Sequence, residues 1–309
     1  MTFQQLEYIV AVDNYRHFVK AATACGVTQS TLSTTIAKLE QEIDVIIFDR
    51  SKHPIEPTAL GQLIISQANV ILHNSEMLRE LVQNEKEGDR GHLRIGMLPS
   101  LAPAVFPSFA KQARTLYPNI VTNVMEGPAQ VIIDKLQKAE LDMAMLSSND
   151  IKDTNLLEVE LFTERFLLYV SPAHMLHNRE RVTPEDLQDG DIWVLKSFHD
   201  RYQQLSELVH RETMHTSFLE TGSISTLISL VDQNGGYTLI PQLYENVLNE
   251  QQRQNIRFIQ SPKFFRTVSL AFRRDYMRER MLNIVADVIK HVVPEDMIKA
   301  RLNKFKITL

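Results

Sequence analysis

His17-Phe-Val-Lys-Ala-Ala-Thr-Ala-Cys25-Gly26-Val27-Thr28-Gln29-Ser30-Thr31-Leu32-Ser33-Thr34-Thr35-Ile36-Ala37-Lys38-Leu39-Glu40 is the stretch on which the reading of this chain turns. His17 to Cys25 has the composition of a short helix, and Gly26 stands where a left-handed C-terminal cap is wanted. Thr28 then predicts the N-cap of a second helix beginning at Gln29. Leu32, Ile36, Leu39 and Ile43 recur at steps of four, three and four, so they share one face. The other side carries Ser30, Ser33, Thr34 and Gln41, with no apolar bulk. Two helices around a glycine turn, the second with an apolar and a small polar face, predict a helix-turn-helix. Short donors and acceptors of that kind approach base edges in a DNA major groove without steric cost.

A helical hairpin packed only for stability satisfies the same spacing, so the flanking residues matter. Ile46-Ile47-Phe48 is an apolar run, Asp49-Arg50-Ser51-Lys52-His53-Pro54 a polar turn, and Ile55-Glu56-Pro57 the return. That outline predicts a small β-wing presenting Arg50, Lys52 and His53 to phosphates.

Phe3 to Gly61 resembles the winged helix-turn-helix of the LysR-type bacterial transcription regulators. The matching residues are Leu6, Phe18, Ala21-Ala22, Val27-Thr28-Gln29-Ser30, Leu32-Ser33, Ile36, Leu39-Glu40, Ile47-Phe48-x-Arg50 and Pro57-Thr58-Ala59-Leu60-Gly61. Each string is weak, and the ordered set is specific. The resemblance implies DNA contacts from Gln29, Ser30, Thr31, Ser33 and Thr34, with charge from Lys38, Arg50 and Lys52. The family pattern usually has arginine where this chain has Thr34, and often another near Ala37.

A chain of 309 residues suggests about two domains. No apolar run is long enough to span a bilayer, and Met1-Thr2-Phe3-Gln4-Gln5 reads as a capping box and not as an export signal. A single cysteine excludes an internal disulfide and suits a reducing cytoplasm. The formal net charge is −5, and the head mixes Arg16, Lys20, Lys38, Arg50 and Lys52 with seven carboxylates from Glu7 to Glu56. Non-specific attraction of one protomer to DNA is therefore expected to be weak, with affinity coming from several half-sites bound together.

That multiplicity has a source in Thr58 to Glu87. Ile64, Ala68, Ile71, Ser75, Leu78 and Val82 step by four, three, four, three and four, and no proline interrupts them. A helix packed on its own domain gives the same stripe. The family resemblance implies a linker helix pairing two subunits, hence a homodimer and an interrupted palindromic operator. The expected domains are residues 1–58, the linker 59–88 and an effector domain 89–309.

Beyond Gly91 the pattern alternates. Leu93–Met97, Val121–Met125 and Met143–Leu146 read as strands, with helices at Pro103–Tyr117 and Ala129–Ala139 between them. This βαβαβ order predicts a parallel sheet flanked by helices. Strands follow at Phe166–Val170, Ile192–Leu195, Thr216–Glu220, Thr238–Ile240 and Thr267–Phe272, with helices at Tyr202–Glu212, Ile224–Asn234 and Met281–Val293. The fold class is thus an α+β winged head, a long helix and an α/β domain. The last resembles the two-lobed, periplasmic-binding-protein-like (type II) effector domain of the same family. Lobe I is expected at about 91–162 and 267–309, and lobe II at 163–266.

A ligand in such a domain sits at strand C-termini and helix N-termini between the lobes. Candidate contacts there are Ser100 and Leu101, Ala129 and Gln130, Ser147, His199, Thr221 and Ser223. Hydroxyls and amides suit a small polar or anionic effector; serines that merely cap helices would give the same pattern. Through Ile95-Gly-Met-Leu-Pro-Ser100-Leu-Ala-Pro, Leu141-Asp-Met-Ala-Met-Leu146 and Leu195 to Gln204, the effector half most resembles the OxyR branch of the family, whose members sense peroxide through a cysteine pair. Here Asp200 and Val209 occupy the matching positions, so that switch is missing. Cys25 is read as a packing residue.

No Gly-rich phosphate loop, Gly-x-Ser-x-Gly elbow, Cys-x-x-Cys or His-Glu-x-x-His is present, and His174-Met-Leu-His177 reads as a loop. The expectation is a non-enzymatic regulator without metal or cofactor. Its partners would be double-stranded promoter DNA, itself as dimer and tetramer, a small effector, and RNA polymerase. The alternatives are a small-molecule-binding module with little specific DNA reading, and a DNA-binding regulator that answers to no effector.

Overall fold

The N-terminal helix α1 (Phe3–Tyr15) starts at a closed capping box. Thr2 Oγ1 accepts from the Gln5 amide, and Gln5 Oε1 accepts from the Thr2 amide at 2.8 Å. Helix α2 (Phe18–Ala24) follows, capped by His17 Nδ1. Gly26 then turns the chain at φ +67°, a conformation that an L side chain resists. Helix α3 (Gln29–Ile43) begins at Thr28, whose hydroxyl accepts from the Thr31 amide at 3.2 Å. Leu32, Ile36 and Leu39 are wholly buried. At about 1.5–3 kcal/mol for each such side chain, they hold α3 on the head. Their partners include Leu6, Ile9, Val12, Ala21, Ala22 and Phe48.

Strands β1 (Phe48–Asp49) and β2 (Glu56–Pro57) pair antiparallel as the wing. Helix α4 (Ala59–Glu87) leaves from it. A Cβ on Gly61 would lie 2.1 Å from the Ile47 carbonyl oxygen, so only glycine admits this crossing of helix and wing base. The structure divides the apolar stripe expected on α4. Ala68 is in the head core, with Ile64 and Ile71 packed against it. Leu60, Leu63 and Leu78 are 50%, 67% and 60% exposed and lie on one adjacent face. The stripe read as a dimer seam therefore belongs in large part to the head, and the open face lies beside it.

The structure, a computed structural model, describes residues 1–87, 91–152, 155–188, 192–195, 216–219, 223–260, 264–276, 278–304 and 307. For 80–87, 216–219, 303 and 304 it describes the backbone alone, so the side chain of Val82 lies outside it. The chain falls into two units, Met1–Arg90 with Asp134–Leu141, and Gly91–Ile133 with Asp142–Leu309. Among the described residues no helix is long and apolar enough to cross a membrane.

From Gly91 the chain runs through β3 (Gly91–Met97), α5 (Ala102–Leu116), β4 (Ile120–Glu126), α6 (Ala129–Gln137, whose last residues from Asp134 belong to the first unit) and β5 (Met143–Ser147). Strands β4 and β5 flank β3 in parallel, the arrangement expected for the βαβαβ run. Strand β6 (Leu156–Val170) is much longer than the apolar core Phe166–Val170 suggested, because its first half alternates exposed Glu158 and Glu160 with inward residues. It is followed by β7 (Arg181–Val182), β8 (Ile192–Leu195), β9 (Thr216–Leu219), α7 (Ile224–Asn234) and β10 (Tyr237–Pro241). Helix α8 (Glu250–Arg253), β11 (Ile256–Ile259), β12 (Phe265–Arg273), α9 (Glu279–Lys290) and α10 (Ala300–Lys304) complete the order. The strand order is β4-β3-β5-β12-β6-β10-β8-β9, with β11 beside β6 and β7. Strands β6 and β12 run antiparallel through both lobes, and a buried cluster of β6, β8, β10 and α7 residues forms the core of lobe II. The helix expected at Tyr202–Glu212 lies outside the described residues. Met175–Asn178, expected as loop, is a short 3-10 helix capped by His174 Nδ1.

Candidate DNA-reading and effector sites

Burial of one face of α3 turns the other outward. Gln29, Ser30, Thr31, Thr34 and Lys38 are exposed, and Ser33 is half-buried. Thr28 Oγ1 lies 3.0 Å from Ser30 Oγ and 2.8 Å from Thr31 Oγ1, so a chain of hydroxyls caps the helix start. No hydrogen bond is found for the side chains of Gln29 and Thr34 among the described residues. Both side chains stand open to solvent.

In the wing both expected cations have a partner within the head. Arg50, read as a phosphate contact, donates from Nη2 to Glu40 Oε2 at 2.8 Å, and its Cζ lies 5.5 Å from the centre of the Phe18 ring. Phe18 in turn meets Phe48 edge-on at 6.3 Å. Lys52 is paired with Glu56 four residues on. Both cations thus have a carboxylate partner within the head, yet both remain exposed, as do Ser51, His53 and Pro54 at the tip. Lys20 and Lys38 are the exposed cations beside the polar face for which no ion pair is found among the described residues. The Asp49 carboxyl is held below its usual range by hydrogen bonds from the Ser51 side chain and amide.

In the effector domain the candidate contacts separate. Ser100 is buried; its Oγ accepts from Arg266 Nη1 at 2.8 Å and its carbonyl from Nη2 at 3.2 Å. Leu101, a candidate effector contact, is wholly buried, and its amide donates to the Leu98 carbonyl. Ala129 and Ser147 are half-buried at the start of α6 and the end of β5, and Gln130 is exposed. Ser223 caps α7 by accepting from the Thr226 amide and lies 2.8 Å from Ser225 Oγ. His199 and Thr221 lie outside the described residues.

Two residues that the sequence reading passed over hold this region together. Arg266 Nε donates to Glu164 Oε1 at 2.7 Å, and Glu164 Oε2 accepts from the Leu243 amide at 2.9 Å. Period-two alternation would have flagged Arg266, because it shares the inward face of β12 with Val268 and Leu270. A lone charge on such a face needs a partner.

Residues 3–62 match the model of the bacterial regulatory helix-turn-helix proteins of the lysR family, and residues 86–293 match the LysR substrate-binding domain. The chain belongs to the LysR family. It is a DNA-binding transcriptional regulator with a two-lobed effector-binding domain, in a family of transcription regulators. It is 30% identical to the hydrogen peroxide-inducible genes activator of Haemophilus influenzae, over 95% of this chain and 99% of that one. It is also 30% identical to the DNA-binding transcriptional dual regulator OxyR of Escherichia coli, over 88% and 90% of the two chains. A full-length OxyR from Pseudomonas aeruginosa with a cysteine-to-aspartate substitution has the same fold, with a TM-score of 0.81 at 28% identity over 97% of this chain and 98% of that one. LysR regulators of this kind bind promoter DNA as oligomers and respond to small molecules.

Proposed function

We propose that the polar face of α3 enters the major groove, with Gln29, Ser30, Thr31, Ser33 and Thr34 at base edges or adjacent phosphates and Lys38 adding charge. The observation that carries this reading is the pairing of a wholly buried face, Leu32, Ile36 and Leu39, with an exposed face on which Gln29 and Thr34 are unengaged. The open Leu60, Leu63 and Leu78 face of α4 pairs two protomers, and effector domains join dimers into a tetramer in the cytoplasm. Selection of duplexes from random sequence by the whole chain tests this. The expected product is an interrupted palindrome with half-sites one helical turn or a multiple apart; enrichment of an unpaired or sequence-neutral pool would contradict it.

A small polar or anionic effector between the lobes, near Ala129, Gln130, Ser147 and Ser223, would favour one arrangement of the reading heads and so alter contact with promoter and RNA polymerase. The Haemophilus influenzae relative is a hydrogen peroxide-inducible genes activator, but this chain has one cysteine. Its switch is therefore ligand occupancy and not an internal disulfide. Thermal unfolding of the whole chain against small carboxylates, amino acids, aromatic acids and peroxide identifies the effector class, because binding to the native state alone raises the melting temperature.

A further inference from the structure

We infer that Glu40 is a positioning residue that fixes the angle between the reading helix α3 and the linker helix α4, and that Arg50 acts through it and not as a phosphate contact. The carboxylate of Glu40 works in two directions. Oε1 accepts the consecutive amides of Ile47 and Phe48, at 2.8 and 3.2 Å, and Oε2 takes the Arg50 guanidinium. The same short segment is held on its carbonyl side by the start of α4. Thr58 Oγ1 donates to the Ile46 carbonyl at 2.8 Å, and the Thr58 amide donates to that of Ile47 at 2.9 Å. Ile46 to Phe48 is thus a strut with α3 fastened to one edge and α4 to the other.

Exposure supports this assignment. The Glu40 side chain is 13% exposed and that of Arg50 43%. Arg50 could reach a phosphate only by leaving both the carboxylate and the Phe18 face, so that half-buried Glu40 would keep the two amides and lose its counter-charge. The guanidinium therefore closes the clamp over Phe18. In a dimer paired along α4, a reading on which this inference rests, the strut sets the distance and phase between the two reading helices. Spacer preference is then a property of Glu40 and Thr58, which touch no base.

The test uses the full chain and the duplex it selects from random sequence, with the spacer unchanged or altered by one base pair. The wild type is expected to favour the selected spacer roughly tenfold, because each added pair rotates and shifts a half-site. Glu40→Gln and Thr58→Val are expected to bring that ratio toward one, and Glu40→Gln to speed hydrogen exchange at the Ile47 and Phe48 amides. Glu40→Gln also makes the head one charge more positive, so simple attraction predicts tighter binding where the clamp predicts weaker. Arg50→Ala should weaken binding without changing the salt dependence. A phosphate contact would instead lower the slope of log K on log salt by about 0.9 per contact. A spacer ratio unchanged in Glu40→Gln, with that fall in slope for Arg50→Ala, would overturn the inference. A wild type indifferent to spacer would overturn the pairing along α4; the exchange of Ile47 and Phe48 in Glu40→Gln reports on the clamp separately.

Discussion

Arg266 and Glu164 stand directly opposite each other across β12 and β6, 2.7 Å apart and 3% and 0% exposed. Two charges so deep are tolerated because Ser100 and the Leu243 amide complete their hydrogen bonds. Removing one partner leaves the other uncompensated. Arg266→Ala is expected to destabilise the effector domain by about 3–5 kcal/mol. Arg266→Met together with Glu164→Leu should recover most of that loss, since a packed apolar pair replaces a costly ionic one. Urea unfolding of the whole chain distinguishes the two; a double variant as unstable as the single one would show that Ser100 and Leu243 depend on the charges themselves.

Gly61 offers a test with an unusual sign. Glycine to alanine inside a helix normally stabilises by about 0.5–1 kcal/mol. Here the new Cβ would meet the backbone oxygen of Ile47 at 2.1 Å, and backbone does not swing aside. Gly61→Ala is expected to destabilise the head by about 1–3 kcal/mol, as overpacking does elsewhere. A raised melting temperature would mean that α4 and the wing base separate freely.

The two faces of α4 should respond differently. Leu63→Glu and Leu78→Glu place charge on the open face and are expected to dissociate the dimer while leaving the head folded. Ile64→Ala and Ala68→Glu strike residues packed on or within the head core and should lower its stability instead. Analytical ultracentrifugation with thermal unfolding of each variant separates these effects. A dimer that survives both Leu variants would place the subunit contact elsewhere.

Much of this was legible in the sequence because local rules and tertiary packing agreed. The Thr2 capping box, the Gly26 turn and the Thr28 cap each rest on neighbours within four residues. The boundaries of β8 and α7 at Ile192–Leu195 and Ile224–Asn234 likewise follow from apolar runs closed by turn residues. What escaped depends on distant partners. Arg50 reads as a wing cation until Glu40 and Phe18 are brought beside it, and Arg266 as a polar interruption until Glu164 faces it. The division of the α4 stripe escaped for the same reason, since spacing marks an apolar face without saying which surface covers it. Strand β11 was missed because Arg257 and exposed Phe258 break the alternation that its short length needs.

Cys25 provides a check on the proposed absence of a thiol switch. Burial, and then the nearby Glu7 carboxylate, push its thiol above the ordinary value. A raised pKa leaves less thiolate at any pH below it, so alkylation by iodoacetamide at pH 8 should be several-fold slower than for a free thiol of pKa about 8.5. Cys25→Ala should leave DNA affinity unchanged in the presence of peroxide. Faster modification than in the unfolded chain would reopen Cys25 as a redox centre.

The most direct test of the central claim is equilibrium binding of the Thr34→Glu chain to the selected duplex, with its fold verified by unfolding. Thr34 is exposed at the middle of the polar face, so a carboxylate there should leave stability within about 0.5 kcal/mol of the wild type. Facing phosphates and acceptor-rich base edges, it should abolish sequence-specific binding. A folded Thr34→Glu protein that binds the duplex as tightly as the wild type would contradict the assignment of α3 as the reading helix.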